Sequence, residues 1–103
     1  MELFKNLVYE YQKGMRDLVL YTCECSNLSI FESFLKKLKI PYTLFFLAGE
    51  KVNLFFGSPV CLEIIAKFSS KELNKLTPQE DFILGIMLGY SRNEQYKRIL
   101  SKI

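Results

Sequence analysis

Few residues of this chain could do chemistry, and their types limit what that chemistry can be. Histidine is absent. This excludes Ser-His and Cys-His nucleophile pairs, an imidazole proton shuttle and any His-ligated metal. Of the three cysteines, Cys23 and Cys25 flank Glu24, and Cys61 stands apart. Thiols two residues apart on a strand fall on one side and could chelate a soft metal or exchange electrons. A structural metal site wants four ligands, so Cys61 would be the obvious third. The competing reading is three small buried hydrophobes, a common use of free cysteine.

The second group is cationic. Lys13 and Arg16 precede an apolar run, and Gly57-Ser58-Pro59 reads as a close-approach glycine, an N-cap and a first-turn proline. The free amides of a helix start attract anions. Lys13, Arg16 and Ser58 are therefore a candidate site for a phosphate or carboxylate. The alternative is that Arg16 pairs with Asp17 or Glu63 and Ser58 is only a cap. A third group, Lys36, Lys37, Lys39 and Arg92, offers contacts for an acidic partner, or an ordinary solvated face. Gly85 and Gly89, four apart, would let a helix press closely on a neighbour. No phosphate-binding glycine pattern of the Rossmann or P-loop kind is present.

These residues need elements to position them. Phe4, Leu7, Val8 and Tyr11 recur at helical spacing, with Gly14 as the stop. Leu18 to Thr22 is a short apolar run that predicts a buried strand. Ser29 and Glu32 fit a capping box, and Ile30, Phe31, Phe34, Leu35 and Leu38 form the stripe of the helix that follows. Pro41 ends it. Tyr42–Leu47 and Val52–Phe56 predict two strands in a hairpin. Both lack clean alternation, so both faces should be covered, by helices or by a second subunit. Ser58-Pro59 opens another helix, Thr77-Pro78-Gln79-Glu80 is a capping box for the next, and Ser91 to Glu94 starts the last.

The order α-β-α-β-β-α-α-α predicts an α+β fold. It comprises a small three-stranded sheet with a β-α-β-β-α middle, which is an incomplete ferredoxin-like unit. An N-terminal helix and a C-terminal helical pair pack on it. A right-handed crossover makes strands one and two parallel, with strand three antiparallel to both. The start of strand one then lies beside the end of strand three, bringing Lys13 and Arg16 toward Ser58. The same geometry sets Cys25 and Cys61 a strand length apart, roughly 17–20 Å.

The 103 residues suit one domain spanning 1–103, and half of them are apolar. Three cysteines are too few and odd in number for a disulfide-stapled secreted domain, the N-terminus lacks the apolar run of a signal peptide, and no segment is long enough to span a membrane. The expected location is the cytoplasm. The net charge of +3 falls short of a nucleic-acid binder and mildly favours acidic partners.

Three segments carry a resemblance: Tyr9 to Arg16, Val52 to Gly57, and Leu76 to Gly85, joined by Leu88-Gly89-Tyr90. On these the chain resembles a small family of uncharacterised bacterial proteins of this length, sometimes encoded beside flavodoxin. The resemblance implies no established activity and suggests an accessory role. Members carry histidines near the N-terminus and cysteines near the C-terminus. This chain has Lys5 and Asn6, then Tyr96, in those places, a departure that weighs against metal binding by the family.

The leading expectation is a non-enzymatic accessory protein without a cofactor or metal. Its partner would be flavodoxin or another acidic protein, with a homodimer compatible and no role for nucleic acid or membrane. The alternative is a small-anion binding or sensing domain. A cysteine-dependent redox enzyme ranks third.

Overall fold

The computed structural model describes all residues from 1 to 103. The elements are α1 (Glu2–Gln12), β1 (Leu18–Glu24), α2 (Leu28–Lys37), β2 (Tyr42–Phe46), β3 (Lys51–Gly57), α3 (Pro59–Ala66), α4 (Pro78–Met87) and α5 (Arg92–Lys102). The sheet runs β1-β3-β2, and β3 is antiparallel to both neighbours. The chain therefore crosses from β1 to the far edge through α2 and returns by the hairpin, as the element order predicts.

The central strand explains the layers. From Val52 to Gly57 every residue of β3 is buried. Strand side chains alternate, so the two sets need separate covers. Val52, Leu54 and Phe56 pack with Phe4 and Val8 of α1 and Leu28, Phe31 and Leu35 of α2. Phe55 packs on the other face with Cys61 and Ile65 of α3 and Leu84, Met87 and Leu88 around the end of α4. β3 is thus covered on both faces within one chain, by α1 and α2 on one side and by α3 and α4 on the other, whereas β2 leaves Phe46 65% exposed. Asn53, on the α3–α4 face, accepts a hydrogen bond from the Thr22 hydroxyl through its side-chain oxygen at 2.7 Å. That bond offsets the cost of burying an amide.

Phe4 centres the first layer. Its ring meets Tyr21, Phe31, Phe34 and Phe56 at centroid separations of 4.7–6.0 Å, mostly tilted or edge-on. Such geometry suits the ring quadrupole. In the second layer, α5 packs on α4 rather than on the sheet.

Of the two expected capping boxes one forms. Thr77 accepts from the Glu80 amide at 3.1 Å, and the Glu80 carboxylate accepts from the Thr77 amide at 3.0 Å. Glu80 also takes the Ser69 amide and hydroxyl, fastening the preceding connection to α4. At Ser29 the expectation fails. A 3₁₀ turn over Cys25–Asn27 feeds α2 two residues earlier, with Asn27 in the N-cap position, and Glu32 turns instead to the Tyr42 hydroxyl. Ser91 precedes α5 without a side-chain bond.

Candidate functional site

The sheet register brings the expected anion-site segments together. Leu18 opposes Gly57, and the Ser58 amide donates to the Asp17 carbonyl at 2.8 Å. The approach is close enough that a Cβ on Gly57 would overlap the Asp17 carbonyl. The side chains, however, have other partners. Arg16 Nε donates to Glu10 at 2.6 Å, and its Nη1 reaches the Leu88 carbonyl at 3.3 Å. The pairing acid is neither Asp17 nor Glu63 but a residue of α1, because the turn after Gln12 folds Arg16 back on that helix. Lys13 lies over the Tyr9 ring at 5.5 Å. Ser58 adjoins Cys61, whose thiol is pushed up by burial, while the Ser58 hydroxyl opposes the shift and Asp17 adds to it. With Asp17 there, the start of α3 already has an acid beside it.

The cysteines divide between the two layers. Cys23 joins the core under α1 and α2, Cys25 packs at its margin, and Cys61 belongs to the core under α3 and α4. The sheet therefore stands between the pair and the third thiol, in addition to the strand length expected from topology. Burial, then Cys25, pushes the Cys23 thiol up. A raised pKa means less thiolate, the form that attacks and ligates.

The cationic candidates separate as well. Lys36 and Lys37 end α2, with Lys39 just beyond at a positive φ. Arg92 opens α5, which stacks outside α4 on the opposite side of the sheet.

The sequence did not reveal the crevice between α4 and α5. Asp81, Leu84, Gly85, Leu88, Tyr90, Gln95 and Arg98 line a cavity of about 150 Å³. Arg98 grips Asp81 through Nε at 2.6 Å and Nη2 at 3.2 Å, and Lys102 Nζ stands 3.0 Å from the same carboxylate. The Arg98 bond, backed by Lys102, holds the Asp81 carboxyl below its usual range against the effect of burial. Gln95 presses on Gly85, where a Cβ would overlap its amide. Of the glycine pair expected to allow close approach, only Gly85 does so; Gly89 lies past the end of α4 at φ +81° with nothing within 4 Å of an added Cβ, and the partner of Gly85 was not legible. Nothing local links Asp81 to a residue seventeen positions away on another helix.

Over residues 2–102 the chain matches the family described as protein of unknown function (DUF2023). It belongs to that family. A search of curated proteins finds no match. The DUF2023 match runs from α1 to the last turn of α5, so the α4–α5 pair lies within the family's domain.

The charge of this DUF2023 chain is unevenly placed. Arg92, Lys97, Arg98 and Lys102 against Glu94 give α5 a net +3, which is the entire excess of the protein. On the same helix Tyr96, Leu100 and Ile103 recur at steps of four and three, and they are 50%, 70% and 76% exposed. Phe82 of α4 stacks on Tyr96 at 6.0 Å, and Ile83 beside it is exposed too. No helix is long and apolar enough to cross a membrane.

Proposed function

We propose that this DUF2023 protein is a non-enzymatic accessory protein of the cytoplasm that docks an acidic partner, a flavodoxin-type redox carrier fitting best. The observation that carries the reading is the coincidence on α5 of the chain's whole charge excess with an exposed apolar strip. An apolar centre with a cationic margin suits weak, salt-sensitive docking, in which charge sets encounter and orientation. Two copies meeting through α5 would set like charges against each other, so self-association is a poor use of this face. Three free thiols fit a reducing compartment. Of the four cations nominated from sequence, Arg92 belongs to this surface, and the α2 lysines form a separate one.

An amide-resolved NMR titration of the labelled protein with an acidic flavodoxin, at low and then high salt, tests this. Shifts on α5 and around Phe82 are expected at low salt, and their loss at high salt. The double reversal Arg92→Glu with Lys97→Glu should abolish them, whereas Lys36→Glu with Lys37→Glu should not. Shifts centred on α2, or none at low salt, would overturn the assignment.

A further inference from the structure

We propose that the crevice between α4 and α5 binds a small monocarboxylate. The inference stands apart from the docking role, since the crevice is lined by the seam between the two helices rather than by the exposed strip.

Gln95 carries the argument. It is one of two buried polar residues in the protein, only 6% exposed, and it lines the cavity. The other, Asn53, has its Thr22 partner. None of the side-chain hydrogen bonds uses the Gln95 amide. No fully sealed side-chain polar atom lacks a partner, so this amide head reaches the cavity. Its oxygen is the atom closest to where a Cβ on Gly85 would stand, and its NH₂ group is an unspent donor.

The unspent groups around it are also donors. Asp81 already accepts from Arg98 at both oxygens and faces Lys102. Arg98 uses Nε and Nη2 on Asp81, so Nη1 is free. Tyr90 also lines the cavity and carries a phenolic O–H that no hydrogen bond uses. Two cations against one carboxylate leave one positive charge.

A monocarboxylate matches both the charge and the donors. Phosphate would bring close to two charges, and a neutral amide none. Leu84, Leu88 and the bare Gly85 backbone provide an apolar wall for a short hydrocarbon tail. A cavity near 150 Å³ holds a benzene-sized molecule, which sets the limit at about six non-hydrogen atoms.

The test titrates butyrate into the labelled full chain, with butyramide as the neutral isostere and inorganic phosphate at matched ionic strength. Butyrate should give saturable shifts at Gly85, at the Gln95 backbone and at its side-chain NH₂, with a dissociation constant on the order of 1 mM. Butyramide and phosphate should bind at least about tenfold more weakly. Arg98→Gln should abolish the shifts. Because that change also breaks the Asp81 pair, Tyr90→Phe is the companion variant, expected to weaken butyrate severalfold with the folded spectrum intact. Shifts that rise linearly without saturating, that are equal for butyrate and butyramide, or that fall outside the α4–α5 seam would each overturn the proposal. So would a Tyr90→Phe variant that binds like the parent.

Discussion

Replacing Gly57 by alanine tests the junction on which the fold turns. Here β3 ends, β1 begins alongside, and α3 starts two residues later. Gly57 has φ +139°, and an added Cβ would meet the backbone of Asp17 and Leu18, with two of the contacts at 3.2 Å and the Asp17 carbonyl oxygen nearer still. Both obstacles are main chain, so no rotamer change relieves them. A sparsely populated backbone conformation costs about 1–3 kcal/mol. Overpacking against a fixed neighbour costs about 1–3 kcal/mol more. Their sum, about 2–6 kcal/mol, is a large part of the roughly 5–15 kcal/mol that holds a domain together. At about 4–8 °C per kcal/mol for a domain of this size, the melting temperature should fall by roughly 8–48 °C. Gly49→Ala is the control. Gly49 has φ +74° with nothing within 4 Å of an added Cβ. It should lose only the left-handed backbone cost, about 1–2 kcal/mol. Urea and thermal unfolding of the two variants, followed by circular dichroism, decide the matter. If Gly57→Ala falls within about 1 kcal/mol of Gly49→Ala, the close approach is not what the glycine serves.

Gly85→Ala should destabilise by about 1–2 kcal/mol, since crowding Gln95 outweighs the gain in helix propensity of about 1 kcal/mol. In a Gln95→Ala background the same change should become neutral or stabilising, and equal costs in both backgrounds would refute the steric reading. The Tyr42 hydroxyl donates to Glu32 at 2.6 Å, and that bond, with burial and the Glu32 charge, pushes its pKa up to about 12. The bond's stabilisation is full below the unfolded phenol value near 10 and is lost as pH rises toward the folded value. Spectrophotometric titration should show one of the six tyrosines ionising late, and Tyr42→Phe should remove that step. Asp81 works in the opposite sense. Its depressed pKa adds stability above the usual carboxylate range, and this is lost as pH falls below about 4 through the folded value. The protection factors of the α5 amides, which correct for the slower intrinsic exchange in acid, should therefore fall on acidification, and Asp81→Asn should lower them already at neutral pH. An unchanged acid response in that variant would refute the assignment.

The sequence by itself determined the order and type of all eight elements. Their signals are local: a 3.6-residue apolar stripe in α2, apolar-rich segments without clean alternation in β2 and β3, and Thr77-Pro78-Gln79-Glu80 ahead of α4. Hairpin and crossover rules then gave the strand directions and set Gly57 beside the start of β1. The absence of histidine closed whole classes of catalysis before any coordinates. Which side chain meets which, however, rests on long-range contacts that no local rule encodes. Arg16 turned to Glu10 and Leu88, although Asp17 is its neighbour in sequence. Glu32 left its capping box because β2 brought the Tyr42 hydroxyl within reach. The separation of Cys23 from Cys61 by the sheet follows from which face each helix covers, and apolar strands buried on both sides do not specify that. The α4–α5 seam is the clearest case. The glycine pair advertised a close approach and the +3 of α5 is written in residues 92–102 themselves, but only tertiary packing could put Gln95 on Gly85 and Arg98 on Asp81.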